Sequence, residues 1–295
     1  MGQYLEEAIR SVLRQDYEPI EYIVIDGGST DRTQMILERY SGRLRYESRP
    51  DNGAAEAINR GLALSSGDIL AYLNADDAYL PGAVSAAVRG FEEHPDAAAV
   101  YGDAWWVDAS GNVLGAYPTR DFDRDLLERE CFVCQPAAFI RRDVFEQIGT
   151  LNPALSFTFD YDLWLRIART HRMQRVEGRL ALSRMHPENK TLGHRRQVFR
   201  ETLSMLQRNC GYVPFSWVYS YVCHLVDRRD QFFEPLQPSI FKYLLSLPAG
   251  LCQNRRRPLP YCREWLRVMS WAGFRRHFKL ARPDGVERDG DTGIP

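Results

Sequence analysis

The first stretch of the chain sets apolar and charged side chains on opposite faces of a helix. Over residues 4–14, Tyr4, Leu5, Ala8, Ile9, Val12 and Leu13 share one side, with Glu6, Glu7, Arg10 and Arg14 opposite. Pro19 closes this segment, and residues 22–25 form a short continuous apolar run, as expected of a buried parallel strand. The run stops at Asp26-Gly27-Gly28-Ser29, a sharp turn into a helix near residues 30–40. A strand at 44–47, a turn at Pro50-Asp51-Asn52-Gly53 and a helix over 54–64 follow, the last ended by Ser65-Ser66-Gly67. A second buried strand over 69–73 ends in Asn74-Ala75-Asp76-Asp77. Pro81 sits near the start of a helix reaching Glu93, residues 97–101 read as a strand, and 107–116 as a hairpin about Ser110-Gly111-Asn112. Strands alternating with helices predict a Rossmann-like α/β domain, its sheet mostly parallel with flanking helices. After His186 the chain reads as helices rich in Arg, Phe, Tyr and Trp, and the final PDGVERDGDTGIP predicts a disordered tail. The expected division is an α/β domain over 1–192, a helical region over 193–282 and a tail over 283–295.

Composition adds limits. With 295 residues, 44% of them hydrophobic, the chain can bury a sizeable core. A formal net charge of -1 gives no overall field for nucleic acid, which is not expected as a partner. The balance is local, since residues 255–282 hold nine Arg or Lys against one acid, Glu264. The longest apolar candidate, 212–226, falls short of the ~18 residues a spanning helix needs and carries Pro214 and His224. The N-terminus has no apolar signal-peptide core, so reduced thiols are expected for the six cysteines. Cys131 and Cys134 form a CxxC without the second pair that a structural zinc site wants.

The chemistry gathers at strand ends. In open α/β sheets ligands bind beyond the carboxyl ends of strands, and here two strands end in acids, at Asp26 and at Asp76-Asp77. A lone aspartate in such a place can simply form a turn. Two adjacent carboxylates repel each other, however, and a hard divalent cation relieves that repulsion. Mg²⁺ or Mn²⁺ is commonly held by one or two carboxylates plus phosphate oxygens. A third acidic cluster, Phe159-Asp160-Tyr161-Asp162, precedes a helical apolar face. Its acids either complement the helix dipole or supply a general base.

Four segments in this order resemble glycosyltransferase family 2. They are YLEEAIRSVLRQDYEPIEYIVIDGGSTDRT, RPDNGAAEAINRGLALSSGDILAYLNADDAYLPGAV, CQPAAFIRRDVFEQIGTLN and FDYDLWLRIA. The resemblance implies a GT-A fold and inverting transfer from a nucleotide-diphosphate sugar. It puts Asp26 where the family holds the nucleoside. It puts Asp76 and Asp77 on a DxD-like motif, with Asp77 for the metal and Asp76 for ribose or metal. It puts Asp160 on the aspartate of the ED motif, the base, and His186 near the metal or diphosphate. Asn52, Gly53, Asn59 and Arg60 fall on the segment that passes the nucleotide or donor.

Three departures stand out. Gly27 replaces the second acid many members carry after the first strand-end aspartate. Phe159 stands where the family usually has Glu. The family's first strand and its loop have no counterpart, and this chain opens at what resembles the end of that loop, Gly2-Gln3-Tyr4. The expectation is a natural start further upstream and unpaired edges on two neighbouring strands.

For the C-terminal region two readings stay open. Trp217, Tyr219, Tyr221, Phe232, Phe233, Phe241, Tyr243, Trp265, Trp271 and Phe274, interleaved with Arg255–Arg257, Arg263, Arg267, Arg275 and Arg276, suit a surface lying on an anionic membrane. They equally suit a helical subdomain with a solvated basic face. The expected partners are a nucleotide-sugar donor and a sugar or lipid-linked acceptor in surface polysaccharide or glycolipid assembly. The expected location is the cytoplasm, peripheral on the inner face of the plasma membrane under the membrane reading. A truncated, non-catalytic scaffold is the competing function. A dinucleotide enzyme is excluded because Gly27-Gly28-Ser29 lacks GxGxxG spacing, and a nucleotidyltransferase because no basic, glycine-rich triphosphate loop is visible.

Overall fold

The computed structural model describes residues 1–227 and 239–269. Two compact units form, Met1–Gly211 and a second that begins at Tyr212. The first opens with α1 (Gly2–Leu13), whose apolar side is buried as the periodicity requires. Then come β1 (Ile23–Asp26), α2 (Thr33–Tyr40), β2 (Arg45–Ser48), α3 (Ala54–Leu64), β3 (Ile69–Leu70), β4 (Ala78–Tyr79) and α4 (Ala83–Glu93). They are followed by β5 (Ala97–Val107), β6 (Val113–Ala116), α5 (Arg124–Arg129), a 3-10 turn at Gln135–Ala137, β7 (Ala138–Arg141) and α6 (Arg142–Ile148). The unit ends with α7 (Phe159–Thr170), β8 (Arg172–Arg184), α8 (Lys190–Gly193) and α9 (Arg195–Cys210).

The sheet is mixed, which corrects the expectation of a mostly parallel one. Six strands run in the order β3-β7-β5-β8-β4, with β6 on β5. Only the β5–β8 pairing in that sheet is parallel. Strand–helix alternation predicts parallel pairing only where a helix carries the chain back across the sheet. From β5 onward a hairpin, a short helix and a 3-10 turn intervene, and β7 returns antiparallel to β5.

β1 and β2 pair in parallel as a separate two-stranded sheet. Among the described residues β1 and β3 therefore each have one edge without a ladder partner. The effect is local. Ile23, Val24 and Ile25 are half-buried where their apolar run predicts full burial, and the strand expected over 69–73 keeps only Ile69–Leu70, with Ala71 exposed. Two cores lie under the strands: one of Leu5, Ile9, Ile36, Leu37 and Leu44, another that includes Phe91, Val100, Phe139 and Leu180. Tyr22 packs against both.

The first unit extends beyond residue 192 because α9 packs its Phe199, Leu203 and Leu206 inward. Asn209 at its end also donates to Asp162 at 2.8 Å.

The second unit contains α10 (Phe215–Asp227), α11 (Ile240–Gln253) and α12 (Pro258–Met269). Tyr243 stacks on Trp265 with ring centroids 4.3 Å apart. A Cβ on Gly250 would lie 1.8 Å from the Tyr261 ring, so only glycine lets α11 and α12 approach this closely. Tyr219, Tyr243 and Trp265 are thus core residues rather than surface ones. Phe232, Phe233, Trp271, Phe274, Arg275, Arg276 and the tail lie outside the described residues.

Candidate active site

The turn after β1 is built from carboxylate hydrogen bonds. Asp26 accepts from the Ser29 hydroxyl at 2.5 Å, the Ser29 amide at 3.0 Å and the Ser48 hydroxyl at 2.6 Å. Desolvation opposes its ionisation, but these donors outweigh it and hold the carboxyl below its ordinary range. Gly27 is crowded by a neighbouring acid: a Cβ there would meet Asp51 Oδ2 at 2.6 Å. Gly28 has a φ of 84° and packs on Pro50, a conformation glycine adopts without strain. The loop of Asp51 is closed by the Gly53 amide, which donates to Asp51 Oδ1 at 2.9 Å. Asn52 donates through its amide and its side chain to Glu56.

Two residues of α3 have different duties. The Asn59 side chain exchanges hydrogen bonds with the backbone of Leu151 at 2.8 and 3.0 Å, tying α3 to the segment after α6. Arg60 lies 3.7 Å from Glu47, and its Nε and one Nη are buried without a hydrogen-bond partner in the protein. Glu47 Oε1, likewise buried, faces Arg60 Nε as an ion pair, which leaves the Nη as the donor with no acceptor in the protein.

The second strand-end cluster separates its two aspartates. Asp77 is buried; its Oδ1 accepts from the Arg184 amide at 2.9 Å and its Oδ2 from the Asn74 side chain at 3.1 Å. Burial first, and the adjacent Asp76 carboxylate second, push its pKa up. Asp76 Oδ2 lies 3.1 Å from Nε2 of the buried His186, a residue just past β8. Arg184 braces this corner. Its guanidinium donates to the carbonyls of Asp76 at 2.9 Å and Asp108 at 3.1 Å and pairs with Glu7 at 2.7 Å. Tyr4 covers both Arg184 and the His186 ring.

At 3.1 Å the two are hydrogen-bonded to each other, and a carboxylate oxygen beside an imidazole nitrogen is also a donor set that could hold Mg²⁺ or Mn²⁺. Among the described residues no group of three or more His, Cys, Asp or Glu converges. Any remaining ligands would be diphosphate oxygens and water.

The third cluster also divides. Asp162 is held by Arg166 at 2.8 Å and by Asn209 at 2.8 Å. Asp160 accepts from the adjacent Tyr161 amide at 2.7 Å and from its own amide. Burial pushes its pKa up to about 6. Tyr72, Tyr117, Cys131 and Cys134 surround it within electrostatic reach. The Cys134 thiol, pushed up first by burial, feels both Asp77 and Asp160, which joins the two clusters in one region.

Sequence reasoning missed Asp51, Asn74, Gln135 and Arg184. Gln135 accepts from Asn74 at 3.0 Å and donates to the Tyr72 carbonyl at 2.5 Å, fixing the extended chain beyond β3. Asn74 and Asp51 also bond within their own turns, to Asp77 and the Gly53 amide, but their contacts with Gln135 and Gly27, like those of Gln135 and Arg184, join segments distant in sequence.

A model of glycosyl transferase family 2 matches residues 2–149. An uncharacterized glycosyltransferase of Rickettsia conorii is 30% identical over 202 residues, 63% of this chain and 33% of its own length. The PGL/p-HBAD biosynthesis glycosyltransferase of Mycobacterium tuberculosis is 34% identical over 167 residues, 55% of this chain and 63% of its own. The match thus spans less than two thirds of either relative. Among solved structures, the mannosyltransferase PcManGT from Pyrobaculum calidifontis, in complex with GDP-Man and Mn²⁺, aligns with a TM-score of 0.57 at 16% identity. That alignment covers 95% of this chain and 82% of that one, and the shared fold is GT-A.

Proposed function

The chain belongs to glycosyl transferase family 2, and we propose that it moves a sugar from a nucleotide-diphosphate donor to an acceptor hydroxyl, with inversion. One observation carries the reading: Asp76 and His186 face each other at 3.1 Å beside the strand ends. In this reading these two residues hold Mg²⁺ or Mn²⁺, with Asp77 keeping the corner rigid from behind. When bound, the cation supplies stabilisation of charge on the leaving diphosphate. Asp26, Asn52, Gly53 and Asn59 shape the nucleoside side, and Arg60, ion-paired with Glu47 through Nε, offers its buried Nη to the donor's anionic groups. Asp160 takes the acceptor proton. The acceptor oxygen then bonds to the anomeric carbon as the bond from that carbon to the diphosphate oxygen breaks.

The acceptor belongs to cell-surface polysaccharide or glycolipid assembly, and a lipid-linked acceptor fits the second unit. There α11 exposes Ile240, Phe241, Leu244 and Leu245, and α12 exposes Leu259 and Leu266 with Arg263 between them. Arg255, Arg256 and Arg257, also exposed, lie between the two helices. Apolar residues flanked by arginines suit peripheral attachment to an anionic cytoplasmic leaflet. Among the described residues no helix is long and apolar enough to cross a membrane.

Calorimetry with UDP, GDP and dTDP, each with Mn²⁺ or EDTA, tests the donor half. One nucleotide should bind only with Mn²⁺, and Asp76→Ala should abolish that requirement together with most of the affinity. Binding that ignores both EDTA and Asp76→Ala overturns the metal assignment.

A further inference from the structure

Asp160 is held only by amides of its own turn. Its carboxylate accepts from the Tyr161 amide at 2.7 Å and from its own amide, and the segment before α7, residues 149–158, has no regular secondary structure. The Thr158 side chain does not cap α7. The segment is instead gripped from α9. Glu201 Oε2 accepts from the Ser156 amide at 2.9 Å, and its Oε1 accepts from the amides of Phe157 at 2.7 Å and Thr158 at 2.8 Å. The Thr158 hydroxyl donates to the same oxygen at 3.0 Å. These are four hydrogen bonds to one ionised group, the strong class. From the other side, Lys190 Nζ donates to the Ser156 carbonyl at 3.0 Å and lies over the Phe159 ring.

We propose that Glu201 is a positioning residue for Asp160: by binding three successive amides ahead of α7 it sets the direction in which the Asp160 carboxylate meets the acceptor hydroxyl. This rests on the reading of Asp160 as the base. Glu201 lies outside the four segments that carry the family resemblance and touches no reacting atom.

Electrostatics gives this grip a distinctive signature. After burial, the negative charge of Glu201 raises the Asp160 pKa further. The other titratable groups that face Asp160 are Tyr72 beyond β3, Tyr117 beyond β6, and Cys131 and Cys134 ahead of the 3-10 turn. All four are pushed above their ordinary values by burial and stay neutral at working pH. Lys190, whose pKa desolvation lowers, acts on Glu201 and opposes it.

The test uses the full chain and three variants, Glu201→Gln, Glu201→Ala and Asp160→Asn. Carboxyl carbon NMR follows the Asp160 titration, assigned by its loss in Asp160→Asn, and hydrogen exchange follows the amides of 156–158. In Glu201→Gln the Asp160 midpoint should fall as the like charge leaves, and the Ser156 amide should lose protection because the Gln amide cannot accept from it. With whichever of UDP-glucose, UDP-GlcNAc or GDP-mannose is turned over, kcat should fall about tenfold to a hundredfold in Glu201→Ala, with nucleotide affinity unchanged. The acid limb of the Glu201→Gln pH profile should move to lower pH. An unmoved Asp160 titration together with unchanged protection in Glu201→Gln overturns the proposal, whether or not Glu201→Ala folds. Full turnover in Asp160→Asn instead overturns the base assignment, while the NMR titration still reads what Glu201 does.

Discussion

Asp76 Oδ2 and His186 Nε2 stand 3.1 Å apart although 110 residues separate them in the chain. Their neighbour Asp77, adjacent in sequence, points into the protein and serves as acceptor for Arg184 and Asn74.

The two aspartates should therefore fail differently. Asp76→Ala leaves one buried group, His186, without its partner and should lower the melting temperature less than Asp77→Ala while removing Mn²⁺-dependent nucleotide binding. Asp77→Ala orphans two donors and should lower stability by about 1–3 kcal/mol for each one left buried. Thermal denaturation beside calorimetry separates them, and equal melting temperatures would contradict this division of labour.

Asp160 should set the acid limb of activity. A base works only when ionised, so kcat/KM should rise about tenfold per pH unit below its pKa and level off above about 6. Stability runs the other way. The folded pKa lies above the unfolded value of 3.8, so stability is greatest below that value and declines as pH rises toward about 6. Asp160→Asn should abolish transfer and raise stability at pH 7.5 by on the order of 1–3 kcal/mol. A melting temperature that gains as much at pH 4 as at pH 7.5 would refute the burial argument.

Gly27 should resist any side chain. A Cβ there would stand 2.6 Å from Asp51 Oδ2, so Gly27→Ala must drive Asp51 out of place. The strain should amount to about 1 kcal/mol. Removing the clash in Gly27→Ala/Asp51→Ala should restore the melting temperature. If the double variant also regains nucleotide affinity, Asp51 has no part in the donor site.

Vesicle flotation tests the membrane surface. Full-length protein should float with phosphatidylglycerol vesicles and not with phosphatidylcholine ones. Phe241→Ser/Leu244→Ser should reduce binding through lost apolar insertion. Replacing Arg255, Arg256 and Arg257 by Ala should cost about 1 kcal/mol for each charge, an effect that salt erases in the wild type. Equal flotation with both lipids would remove the electrostatic part of the proposal.

The sequence alone determined the elements and the kinds of group at their ends. Local periodicity located α1 and α3, strand-end acids marked Asp26 and Asp76, and an acidic helix start marked Asp160, because these signals lie within one helical turn or one strand. Only the tertiary structure decided what each acid meets. Asp162 binds Arg166 and Asn209, Asp77 binds Arg184 and Asn74, and Asp76 meets His186. Sheet direction was decided at the same level, since β5 pairs antiparallel with β7 and parallel with β8 through contacts no local pattern encodes. The physical reason is common to both. A side chain's identity is written at its own position, but its desolvation and its hydrogen-bond partners come from residues that only folding brings beside it.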